Sequence, residues 1–194
     1  MGLYELSVSI PISDYLKAKA LCRAEAELNH QVVVRDNTST EQKVLRTEEL
    51  VVSKWAYRNT EKDAIERAVG LAQFFISEGI RVDQMQVKAD IDLLPSDYVL
   101  KPEEAFEFRI QVPVANPDEY TRFVQLCRNH GARTHDVVKS ESMDFVPVGT
   151  LQIHQGSKQD AMEKNSAWIQ AVKLQKFRIS FKVRQDIILF HHVL

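Results

Sequence analysis

Residues 15–33, YLKAKALCRAEAELNHQVV, return as residues 120–138, YTRFVQLCRNHGARTHDVV. Tyr15, Leu21, Cys22, Arg23, His30, Val32 and Val33 recur at Tyr120, Leu126, Cys127, Arg128, His135, Val137 and Val138, each 105 positions later. Seven coincidences in nineteen positions do not arise by chance, so the chain reads as a duplication. Working outward, Ile10-Pro11-Ile12 answers Val112-Pro113-Val114 at an offset of 102. Thr60-x-x-Asp63-Ala64 answers Ser157-x-x-Asp160-Ala161, and Val87-Lys88-Ala89-Asp90-Ile91 answers Val183-Arg184-Gln185-Asp186-Ile187. The 194 residues divide into a first unit at 1–92, a linker at 93–104 holding Pro95 and Pro102, and a second unit at 105–194. Units of this size can each bury a modest core.

Each unit opens with strict alternation. Tyr4, Leu6, Val8 and Ile10 fall on one side of a first strand, and Glu5, Ser7 and Ser9 on the other. Phe106, Phe108, Ile110 and Val112 oppose Glu107, Arg109 and Gln111 in the same way. This predicts strands with one buried face. A helix follows, starting near Ser13 in the first unit and at Asn116-Pro117 in the second, where an N-cap, a first-turn proline and Glu119 stand in order. Short strands are expected at 31–34 and 136–138, and longer ones near 50–58 and 148–154. Thr60 and Ser157, each with Asp three residues on, start the second helices. Gly79 stops the first of these, whereas the second lacks a glycine. Last strands are expected around Val87 and from Phe177 to Val183. The apolar run Ile188-Leu189-Phe190 extends the latter and would be hazardous as a bare edge.

The order strand, helix, strand, strand, helix, strand, twice over, predicts an α+β chain. It specifies two tandem ferredoxin-like βαββαβ units, each an antiparallel four-stranded sheet with both helices on one face. Leu21-Cys22-Arg23 and Leu126-Cys127-Arg128, with Gly79-Ile80-Arg81-Val82 and Phe177-Arg178-Ile179 leading into the last strands, give a pattern that resembles an uncharacterised bacterial family of tandem ferredoxin-like proteins. The resemblance covers most of the chain and implies the same fold, with no assigned activity. Where those relatives often carry His in an H-x-T-x first strand, this chain has Ser7-Val8-Ser9-Ile10 and Arg109-Ile110-Gln111-Val112.

With 44% hydrophobic and 27% charged residues the composition is that of a globular chain. A net charge of -2 gives no electrostatic reason to expect nucleic acid. No apolar run approaches the roughly 20 residues needed to span a bilayer, and the start Met1-Gly2-Leu3-Tyr4-Glu5-Leu6 has no secretory pattern. A cytoplasmic protein without a membrane partner is therefore expected, with homo-oligomerisation left open. The two cysteines, at equivalent places in separate cores, are expected to stay unpaired. Walker, G-x-G-x-x-G, H-E-x-x-H, C-x-x-C and G-x-S-x-G motifs are all absent from the sequence. No cofactor or metal is indicated, and His191-His192 would need outside ligands because strand neighbours point to opposite faces.

In a ferredoxin-like unit the helix-free sheet face must meet solvent, a ligand, the other half or another subunit. In the first unit it collects Glu5, Ser7, Ser9, Trp55, Tyr57, Gln86 and Lys88. In the second it collects Glu107, Arg109, Gln111, Gln152, His154, Arg178, Ser180, Lys182 and Arg184. Arginines there could hold an anionic group, with Trp55 or Tyr57 as a stacking plane. The plainer alternative is that these side chains pair across strands, with Glu107 neutralised by its neighbours. The sequence thus points to a non-catalytic ligand-binding or interaction protein working through these faces and the seam between repeats, with a small anionic molecule as ligand. Its alternatives are an enzyme acting on phosphorylated or carboxylated metabolites, with His154 as acid or base, and an RNA-binding module using Trp55 and Tyr57.

Overall fold

A computed structural model describes residues 2–24, 28–38, 44–138, 145–179 and 184–194. Its elements run β1 (Gly2–Pro11), α1 (Tyr15–Ala24), β2 (Asn29–Thr38), β3 (Val44–Arg58), α2 (Glu61–Ser77), β4 (Gln84–Asp90), β5 (Ala105–Gln111), α3 (Pro117–Asn129), β6 (Arg133–Val138), β7 (Phe145–Ile153), α4 (Lys158–Leu174) and β8 (Arg184–Val193). Single 3-10 turns at Ile12–Asp14 and Ile91–Leu93 precede α1 and follow β4.

The helix starts are set locally. Thr60 Oγ1 accepts from the Asp63 amide at 3.1 Å while the Asp63 carboxylate accepts from the Thr60 amide, a complete capping box. Ser157 and Asp160 repeat it at α4, and Asn116 Oδ1 accepts from the Glu119 amide at 2.9 Å. The α2 helix ends on Gly79 at φ 69°, and α4 ends without glycine because Lys176 takes the same left-handed turn at φ 61°.

Two separate ferredoxin-like sheets do not form. The eight strands close into one antiparallel barrel in the order β1-β3-β2-β6-β7-β5-β8-β4. Each half alone would leave β2 and β4, or β6 and β8, as bare edges with a row of unpaired amides and carbonyls. The edges satisfy one another instead. Val32 and Val33 of β2 pair with Val138 and Val137 of β6, and β4 pairs with β8 from Gln84↔Val193 to Asp90↔Asp186. The run Ile188-Leu189-Phe190 therefore lies within the sheet, with Phe190 opposite Val87. The described part of β8 begins at Arg184. Residues 177–179 of the strand expected there are not in the sheet, and Phe177 packs edge-on against Phe123 at 5.6 Å.

Closure also revises the expectation of one buried strand face, since every residue of β1 from Glu5 to Ile10 is buried. The outward face is apolar and lies under the helices. Phe106, Phe108 and Ile110 pack with Phe123, Cys127 and Trp168, and Val8, Ile10, Leu50 and Val52 pack with Ala18, Cys22 and Phe75. Both cysteines are unpaired, and burial pushes their thiols up to about 11 and about 12 respectively. The 93–104 segment is docked: Leu94, Tyr98 and Leu100 pack on the second core, and Lys158 Nζ donates to the Leu94 carbonyl at 2.8 Å. No helix among the described residues is long and apolar enough to cross a membrane.

Candidate functional site

The face that carries no helices becomes the inside of the barrel, and its polar residues meet there. Period-two alternation does this: once Leu6 and Phe106 face the helices, Glu5 and Glu107 must face inward. Three carboxylates, Glu5, Glu107 and Asp186, share the interior with three cations, Lys88, Arg109 and Arg184. Within this group of six the charges balance.

Lys88 Nζ donates to Glu107 Oε1 at 2.7 Å, and both side chains are more than nine-tenths buried. Gln152 Nε2 donates to the other Glu107 oxygen at 2.8 Å. Arg109 Nε lies 3.2 Å from Glu107 Oε1, near enough for charge attraction but without hydrogen-bond alignment. Its terminal nitrogen donates to Asp186 at 2.8 Å. Arg184 grips Glu5 with both terminal nitrogens, Nη1 at 3.2 Å from Oε1 and Nη2 on Oε2. Arg184 Nε sits 2.9 Å from Asp186, and the guanidinium lies 4.8 Å from the centre of the Trp55 ring.

Several of these contacts skip a strand. Between β4 and β5 stands β8, and between β8 and β1 stands β4. Lys88–Glu107 and Arg184–Glu5 each reach over about 10 Å of sheet, which only inward-pointing long side chains can do. Each also joins one half of the chain to the other. The offset of the first strands makes Glu5 the counterpart of Glu107, and that of the last strands makes Lys88 the counterpart of Arg184. The first-strand glutamate of each half thus holds the last-strand cation of the other.

Burial alone would raise the Glu107 pKa, but Lys88 and Arg109, with hydrogen bonds from Lys88 and Gln152, outweigh it and hold the carboxyl at about 2. Lys88 is shifted down, chiefly by desolvation and then by Arg109, with Glu107 and Glu5 opposing. Arg109 is shifted up: its carboxylate partners overcome desolvation.

The predicted residues distribute unevenly. Glu5, Ser7, Ser9 and Glu107 are buried in the barrel, and Arg109, Gln111, Gln152 and Arg184 are partly buried. Trp55 and Tyr57 are exposed, 39% and 63%. His154, just past β7, is exposed and makes no ion pair among the described residues, so it does not join the arginines. Arg178 is exposed between α4 and β8 and is likewise not brought to the cluster. Lys182 and Ser180 lie outside the described residues. Asp186 joins the cluster without being among the predicted residues, although alternation from Arg184 places it on the same face. Lys88 lies on that face as alternation predicts, and its pairing to Glu107 depends on barrel closure. No cluster of three metal-ligating side chains occurs among the described residues.

No family model and no curated protein matches the chain. Among solved structures it is similar to the crystal structure of "Putative monooxygenase" from Fusobacterium nucleatum, with a TM-score of 0.32 and 9% identity over 99% of this chain and 94% of that one. A likeness of that size assigns neither fold nor activity.

Proposed function

We propose that this chain is a non-catalytic binding protein whose recognition site is the exposed end of the charged interior, where Arg184 rests on Trp55 beside Tyr57. The ligand is a small molecule with an anionic group and a flat apolar part. The observation that carries this reading is the posture of Arg184. Its side chain is one-third exposed, oriented by Glu5 and Asp186, and stacked on an indole that is itself exposed. A guanidinium presents five N–H donors, and three nitrogens engaged with carboxylates still leave N–H groups uncommitted to those partners. Large exposed aromatics beside such a group supply contact area at small conformational cost.

A binding role fits better than acid–base catalysis because the interior carboxylates are saturated. Glu107 accepts from Lys88 and Gln152 and stays ionised far below neutrality, and a general base needs a pKa near the working pH. Balanced charge also makes the site selective, since an incoming anion must compete with Glu5 for the same guanidinium.

Thermal shift with AMP and with inorganic phosphate tests the reading. AMP is expected to raise the melting temperature of the wild type more than phosphate does. Trp55→Ala should remove the advantage of AMP, and Arg184→Gln should weaken both. Identical responses from wild type and Trp55→Ala, or no response to either anion, contradict it.

A further inference from the structure

A second concavity lies on the other side of the sheet, between α2 and strands β1 and β3. It is a cavity of about 220 Å³ walled by Arg67, Gly70, Leu71 and Phe74 of α2, by Leu6 and Lys54 of the strands, and by Leu28. The helix residues sit at spacings of three and four, so they form one stripe on the flank of α2, beside the buried Ala64, Ala68, Ala72 and Phe75 that face the sheet. A dry cavity of about 150 Å³ lined by Leu, Ile and Phe holds benzene, so this one has room for a larger apolar body. A cation stands at its rim. Arg67 is exposed and makes no ion pair among the described residues.

Gly70 supplies an independent argument. A glycine inside a helix costs about 1 kcal/mol relative to alanine, and this one stands in the middle of α2. Neither its backbone nor its neighbours require it: it does not adopt a left-handed φ, and a Cβ built there meets no atom within 4 Å. By contrast a Cβ on Gly149 would meet Trp168 at 2.7 Å, so that glycine is demanded by packing. Helix stability alone would therefore favour alanine at position 70, while the bare backbone keeps the cavity wall open.

We infer that this cavity binds a medium-chain carboxylic acid, its tail against Leu6, Gly70, Leu71 and Phe74 and its carboxylate held by Arg67. Apolar burial supplies most of the affinity and the rim fixes the direction of entry. The site faces the helices, whereas Trp55 and Arg184 face the barrel interior, so the two sites are separable by mutation.

Isothermal titration with octanoate, and with 1-octanol as the uncharged analogue, tests the inference on the full chain. Octanoate is expected to bind the wild type and Trp55→Ala equally, and to bind several-fold more tightly than octanol. Gly70→Leu should weaken octanoate by about tenfold or more by filling the cavity. Gly70→Ala, a smaller intrusion, should weaken octanoate less than Gly70→Leu does while raising the melting temperature of the free protein. Arg67→Gln, which alters an exposed side chain, should reduce the preference for octanoate over octanol. No heat of binding with the wild type, equal affinity for the acid and the alcohol, or undiminished binding by a folded Gly70→Leu would each overturn it.

Discussion

Lys88–Glu107 and Arg184–Glu5 occupy equivalent places in the two halves and have opposite fates. The first pair is closed: both partners are buried, and Gln152 completes the coordination of Glu107. The second is open, with Arg184 one-third exposed and Trp55 lying against it. By the third-strand correspondence, Trp55 stands where the other half has Gln152. One glutamine that donates to the glutamate makes a structural lock, and one indole that stacks on the cation makes a surface. The difference teaches that two equivalent ion pairs can be set apart by one neighbour, a glutamine that closes the first and an indole that leaves the second open.

Breaking the closed pair should have the largest effect. Lys88→Met leaves Glu107 buried with its principal partner gone, and a destabilisation of about 3–5 kcal/mol is expected in urea unfolding. The next effect is acid sensitivity. Because the Glu107 pKa is lowered in the folded state, its contribution is fully present above its ordinary value near 4.5. It is lost as pH falls from there towards about 2. The shift corresponds to about 3 kcal/mol, and Glu107→Gln should flatten that part of the stability–pH curve. Arg184→Gln should cost less, about 1–2 kcal/mol, because water and Arg109 remain near Glu5. Equal losses from Lys88→Met and Arg184→Gln would erase the distinction between closed and open copies. The smallest effect concerns the helix ends. Lys176→Gly gives α4 the residue that α2 already has at Gly79, and should stabilise by about 0.5–1 kcal/mol in thermal unfolding.

Much of the local structure was legible. Capping signals at Thr60, Asn116 and Ser157 and the period-two pattern of β1 and β5 depend on near neighbours in sequence, and the elements stand where those residues predict. The joining of the sheets was not legible. Pairing of β2 with β6 and of β4 with β8 is a contact between distant edges, and alternation states which residues share a face without stating what that face will meet. The candidate site was half legible for the same reason. Glu5, Glu107, Arg109 and Arg184 were on one face by alternation, but their mutual pairing needs closure, which turns an exposed platform into an interior. His154 and Arg178 were grouped with them by periodicity carried past the strand ends, where it no longer governs direction.

The claim that the halves are locked by exchanged ion pairs is tested most directly by a double-mutant cycle on Lys88→Met and Glu107→Gln, read by equilibrium urea unfolding. Removing both partners should cost less than the sum of the two single losses, with a coupling of about 2 kcal/mol or more. Strictly additive losses would contradict the account.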